Sequence, residues 1–189
     1  MKHIKNSLNI RRHPFIIAIA VVVILAVVVI AGYTDVNRRF PKPEQEISQK
    51  GEWIDYDENI KINVSDINYC SDTELNQRYK ADVKENGRYS YIVIEMSVSN
   101  QSDTNYNVIN LISKTNLVIY PSGYENQGMI VEDDVNVASG ETKDYTLYFV
   151  VSEMLMKKSK REKLLGQDIY LCFKAYPVRQ AVLFRGIDG

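Results

Sequence analysis

The chain has 189 residues, 45% hydrophobic and 25% charged, with 23 basic and 24 acidic side chains and a formal charge of −1. These averages exclude a disordered chain, which combines low hydrophobicity with high net charge, and 9 Gly with 5 Pro exclude a collagen-like repeat. Two Cys are too few for a disulfide-stapled miniprotein, and the near-zero charge leaves no electrostatic footprint for nucleic acid.

The first element is an apolar run from Phe15 to Gly32, 18 residues without a charge. In lipid the backbone must satisfy its own hydrogen bonds, so such a run becomes a helix. At about 1.5 Å per residue it spans roughly 27 Å, close to the ~30 Å hydrocarbon core of a bilayer. Pro14 suits the entrance, where a missing N–H costs nothing, and Tyr33 falls at aromatic-belt depth. Residues 15–33 are therefore expected to form a single-pass transmembrane signal-anchor. Lys2, Lys5, Arg11 and Arg12 precede it without an acid, which places residues 1–14 in the cytoplasm and the C-terminal body outside the cell. A cleaved signal peptide is the rival reading, with Val29 and Ala31 as small cleavage-site residues. The run exceeds the usual signal core. Setting residues 1–32 aside leaves 19 basic and 24 acidic side chains, so the remainder carries −5.

Residues 34–52 are polar and contain Pro41-Lys42-Pro43, which reads as a stalk. The body, 53–189, opens near Trp53. Ile60, Ile62 and Val64 alternate with polar residues as a half-buried strand. Residues 71–88 form a polar connection ending in the turn signal Asn86-Gly87. Tyr89–Asn100 is the clearest strand, with Ile92, Ile94, Met96 and Val98 on one face. Strands are also predicted around Val108–Ile112, Leu117–Tyr120, Met129–Val131, Val135–Val137, Tyr145–Val151, Ile169–Ala175 and Ala181–Phe184. Seven or eight short strands separated by polar turns indicate an all-β fold, an antiparallel sandwich or barrel. One stretch breaks the period: Ser152–Leu165, closed by Gly166, has helix-forming composition and predicts one late surface helix.

Three segments carry a family resemblance: YIVIEMSVSNQSD (Tyr91–Asp103), LVIYPSGYEN (Leu117–Asn126) and ASGETKDYTLYFVV (Ala138–Val151). In this order, after an anchor and a stalk, they resemble the uncharacterised immunoglobulin-like ectodomains of Gram-positive (Firmicutes) lipoproteins and membrane-anchored proteins. The resemblance covers roughly residues 55–185 and implies an immunoglobulin-like β-sandwich at the cell surface. The chain departs from the family in having a transmembrane helix where many relatives have a lipid-modified Cys, and in its basic late helix. The family has no agreed activity, so the resemblance implies fold and location without chemistry.

His3 and His13 both precede the anchor, so the body has no His for a Ser-His-Asp triad, a Cys-His pair or a His-ligated zinc. No Gly-rich phosphate loop is present, and no cofactor is expected. Two carboxylate groups, Asp55/Asp57/Glu58 and Glu132/Asp133/Asp134, have the residue type for glycoside hydrolysis or calcium binding, but a solvated turn is the ordinary fate of each. Cys70 and Cys172, outside the cell, could close a loop of about a hundred residues as a disulfide adding ~2–4 kcal/mol. Lys157, Lys158, Lys160, Arg161 and Lys163 form a basic run suited to anionic lipid or wall polymer, or to the wet face of a helix. Asn63-Val64-Ser65 and Asn100-Gln101-Ser102 match the glycosylation acceptor pattern. Together these observations predict a non-catalytic binding or structural module that contacts an envelope component. Loops 71–88 and 121–134 are the candidate contact regions. The alternatives are a carboxylate-based wall glycosidase and an accessory or sensor subunit of a membrane complex.

Overall fold

A computed structural model of the chain describes residues 14–152 and 163–187. The chain divides into two units, residues 1–42 and 43–189. The first contains helix α1, Pro14–Arg39, whose residues from 17 onward are exposed. It is long and apolar enough to cross a membrane, with a mean hydropathy of 2.9 in its most apolar window. The helix outlasts the apolar run by nearly two turns. Thr34 Oγ1 donates to the Ile30 carbonyl at 2.7 Å, and Asp35 pairs with Arg39 at 2.9 Å one turn later. Arg38 and Arg39 lie at the C-terminal end, where the helix dipole favours cations.

The second unit is a sandwich of two five-stranded sheets. Sheet 1 has the order β1 (Glu44–Gln49), β12 (Val178–Arg185), β11 (Asp168–Lys174), β6 (Asn116–Tyr120), β7 (Tyr124–Gln127). Sheet 2 has the order β2 (Trp53–Asp57), β3 (Ile60–Ser71), β4 (Tyr89–Asn100), β10 (Thr142–Ser152), β8 (Met129–Ile130). A separate pair joins β5 (Tyr106–Asn107) to β9 (Asn136–Val137). All pairings are antiparallel except that of β1 with β12. Among the described residues the strands number twelve and exceed the seven or eight expected, because three are only two residues long and β1 and β7 show little hydrophobic alternation.

Residues 34–52 are thus not a free stalk: they hold the end of α1 and all of β1. The chain passes from sheet 1 to sheet 2 through a turn at Gly51. Its φ of 86° suits a residue without Cβ, and its N–H donates to the Val64 carbonyl at 2.8 Å.

The strand at Tyr89–Asn100 agrees with the predicted one, and Ile92, Ile94, Met96 and Val98 all enter the inter-sheet core. The strand expected at Val108–Ile112 is instead helix α3, Ile109–Ile112. Val108, Leu111 and Ile112 are buried at helical spacing, and Asn107 Oδ1 accepts from the Ile109 N–H at 2.9 Å. The helix expected over Ser152–Leu165 is narrower at its start, since β10 runs through Ser152. Residues 163–165 are helical and Leu164 is buried. Residues 153–162 lie outside the described residues.

Polar side chains join the sheets along both open seams. Gln180 Nε2 of β12 donates to Glu46 Oε2 at 2.8 Å and to the Asp55 carbonyl of β2 at 3.1 Å. On the far seam β8 is too short to cover β10, and the Val150 carbonyl accepts from Tyr124 Oη and from Asn126 Nδ2 of β7. A bare carbonyl on a sheet edge is thereby satisfied within the fold.

The outer face of sheet 2 has a second cluster, with Cys70, Leu75, Tyr91 and Val93 buried. The 71–88 connection covers it. It begins with a short helix α2, Asp72–Glu74, capped reciprocally by Ser71 and Glu74, and continues as a π-helical turn over Leu75–Tyr79. Two backbone N–H groups, of Asn86 and Gly87, converge on Asp72 Oδ2 at 2.7 Å each and tie the far end down. The connection expected as a contact loop is therefore a packed cover.

Candidate functional site

A cleft of about 450 Å³ opens where the two sheets meet at one end of the sandwich. Tyr56 and Asp57 come from the end of β2, Phe173 and Lys174 from the end of β11, Ala175 and Tyr176 from the following turn, and Lys114 from the loop after α3. Local alternation explains the placement. In β2, Ile54 and Tyr56 face the core while Trp53, Asp55 and Asp57 face out. Tyr56 meets Phe173 edge-on, 6.5 Å between ring centroids, so the wall is aromatic from both sheets. Tyr176 is half exposed on the rim.

The cleft's charges are exposed. Asp57 Oδ1 accepts from the Glu58 N–H at 2.9 Å. Among the described residues Lys114 and Lys174 have no ion-pair partner. Burial, and then the charge of Asp57, pushes the Tyr56 phenol above its ordinary range. Tyr106 is raised in the same way by burial, then by Tyr56 and Asp57. Both phenols stay neutral; of the two, only Tyr56 lines the cleft.

The sequence-predicted residues are scattered. Asp55 pairs with Lys61 at 3.4 Å on the sheet surface, and only Asp57 of that group reaches the cleft. Asp134 is tied to Lys143, which holds its carboxyl below the usual range. Glu132 accepts the Thr146 N–H with both oxygens at 2.9 Å. It shares a separate hollow of about 300 Å³ with Glu95 and Asp144, where Asp144 accepts from Ser97 Oγ at 2.6 Å. Among the described residues no group of three His, Cys, Asp or Glu is placed to hold a metal ion.

Cys70 and Cys172, the candidate disulfide pair, are free and buried. Cys70 belongs to the outer cluster of sheet 2. Cys172 points away from the core on sheet 1, between the core residues Leu171 and Phe173, and accepts from Arg179 Nη2 at 3.2 Å. The two thiols lie on opposite outer faces with the core between them. Burial pushes the Cys70 thiol up to about 11, so it stays protonated. Of the basic run, Lys163 is exposed, and Lys157, Lys158, Lys160 and Arg161 lie outside the described residues. Asn100 is no glycan acceptor: it is fully buried and donates to the Thr104 and Val137 carbonyls at 2.7 and 3.0 Å.

Nothing in the sequence singles out Lys114, Lys174 and Tyr176. They are isolated residues in unrelated turns, and only the meeting of the sheet ends unites them.

No protein-family model matches the chain, and no curated protein matches it. Solved structures do. An uncharacterized β-sandwich protein from Clostridium difficile 630 superposes with a TM-score of 0.52 at 15% identity, over 76% of this chain and 96% of that one. A functionally unknown protein from Listeria monocytogenes EGD-e gives 0.46 at 12% identity, over 75% of this chain and 84% of that one. At such identity the first likeness shows the β-sandwich fold alone.

Proposed function

We propose that this chain is a membrane-anchored, extracellular, immunoglobulin-like β-sandwich acting as a non-catalytic binding module at the bacterial surface, with the sheet-end cleft as its binding site. The cleft carries the proposal: a concave, aromatic-walled space with a few convergent charges is the form small-ligand sites take. Support for the anchor comes from the length and apolarity of α1 and the basic residues preceding it. Support for a bacterial surface location comes from the sequence motifs and from the uncharacterised Gram-positive sandwich of like fold. A glycosidase needs two carboxylates across the cleft, and this cleft is lined by one, Asp57.

The full chain is expressed in Gram-positive cells with a photo-crosslinking residue at Tyr176, or at Glu125 on β7 as a control. Light-dependent capture of an envelope component from Tyr176 and not from Glu125 is expected. Equal capture from both positions, or none from Tyr176, overturns the assignment of the cleft. Protease added to intact cells is expected to remove the sandwich; a protected sandwich overturns the topology.

A further inference from the structure

We infer that the cleft takes an amphiphilic anion: a phosphate or carboxylate carried on an apolar body. The inference rests on the binding-module reading and adds the ligand class. The walls set the apolar half. Phe173 is fully buried and Tyr56 nearly so, and the two pack edge-on behind the cleft, while Tyr176, 51% exposed at the mouth, offers the ring against which a ligand's apolar body can lie.

The lysines set the anionic half. Residues 33–189 carry 19 basic and 24 acidic side chains, so a cation is not the default feature of this surface. Elsewhere Lys50, Lys61 and Lys143 are paired with Asp66, Asp55 and Asp134. Among the described residues Lys114 and Lys174, like Lys42, Lys80, Lys84 and Lys163, are exposed and have no ion pair; what sets these two apart is that both line one cleft. Ammonium groups on flexible stems act as point charges, which suits phosphate or carboxylate without demanding a planar, bidentate partner. Asp57 on the opposite wall repels a second negative group, so the ligand carries its charge at one end.

Two sources could supply such a ligand, a soluble metabolite or a lipid headgroup. The chain enters the sandwich at this same end: Glu44 of β1 pairs with Val178, two residues beyond Tyr176. Only Phe40–Pro43 separate β1 from α1.

The test uses the full chain in nanodiscs of zwitterionic lipid, titrated calorimetrically with hexyl phosphate, hexanol and hexyltrimethylammonium. Saturable binding of hexyl phosphate with a Kd of about 1 mM or tighter is expected, with the other two at least about ten-fold weaker. The double variant K114Q/K174Q is expected to lose hexyl phosphate binding, and K114R/K174R to keep it. Rescue by arginine shows that charge is needed, and it excludes a simple folding defect. Placing phosphatidic acid in the nanodisc is expected to suppress hexyl phosphate binding if the source is the bilayer, and to leave it unchanged if the ligand is soluble. No hexyl phosphate binding, equal binding by the cation, or undiminished binding by K114Q/K174Q overturns the inference. If photo-crosslinking at Tyr176 still captures a component in that case, the binding-module reading survives and only the ligand class fails.

Discussion

Asp72 shows how one side chain can hold a long connection in place. Its carboxylate accepts backbone N–H groups of Asn86, Gly87 and Thr73, and the first two hold its pKa below the ordinary 3.8. Glu74 is lowered by its bonds to Ser71, and Asp66 by Lys50. A carboxyl with a lowered folded-state pKa binds fewer protons folded than unfolded. Its contribution is complete above the unfolded value and is lost as pH falls through the folded one. Urea midpoints should therefore hold at neutral pH and fall as the pH drops below 3.8. Asp72→Asn should be less stable than wild type at about pH 7, with a shallower loss between about pH 5 and about pH 2. A parallel acid profile would remove Asp72 from this role. Nothing in SDTELNQRYKADVKENGR announces the convergence, because Asp72 and Gly87 are fifteen residues apart and meet only when the segment folds back. The Ser71–Glu74 capping box, by contrast, is a local Ser-x-x-Glu spacing legible in the sequence alone.

The elements divide by how much of their partner they carry in their own residues. β4 was legible to the residue because both its faces alternate and its core face is uniformly apolar. α3 was misread because Val108, Ile109, Leu111 and Ile112 look like a β-rich run. Their burial at 108, 111 and 112 is helical, and Asn107 Oδ1 accepts the Ile109 N–H just ahead of the helix. β1 was unreadable: EQEISQ has one apolar residue and becomes a strand because β12 offers a free edge in parallel register. The 71–88 cover belongs to this scale as well. Leu75, on the inner side of the cover, is fully buried against Cys70, Tyr91 and Val93. Leu75→Ala should cost about 2–4 kcal/mol by lost burial and the cavity left behind. It should also speed alkylation of Cys70 in the folded protein, while Cys172 reacts at its wild-type rate. Unchanged alkylation of Cys70 would show that the cover does not shield it.

At the scale of the whole molecule, the core separates the two outer faces, and this decides the fate of the cysteines. Cys70 and Cys172 sit on different sheets and point away from each other. A disulfide needs Cα atoms within about 7 Å, which opposite outer faces of a sandwich with sheets ~10 Å apart cannot offer. Protein purified under air and unfolded without reductant should therefore take up two alkyl groups by mass. Uptake of none would contradict this placement. The same architecture makes the cleft. Tyr56 and Asp57, Lys114, and Phe173 to Tyr176 belong to three stretches of chain, and they become neighbours because two sheets end together.

By itself the sequence determined what depends on local composition: an apolar helix of membrane-crossing length, a body without histidine, a set of alternating strands, and the turns between them. These follow from properties readable over a few residues, namely hydropathy, period and turn chemistry. Only the tertiary structure decided which strands share a sheet, that β1 closes an edge, that 71–88 is a cover, that the thiols stay apart, and that Lys114 and Lys174 line one cleft with Tyr176. Those outcomes depend on long-range pairing and on which face of each strand is buried, and no short window of the chain contains that information.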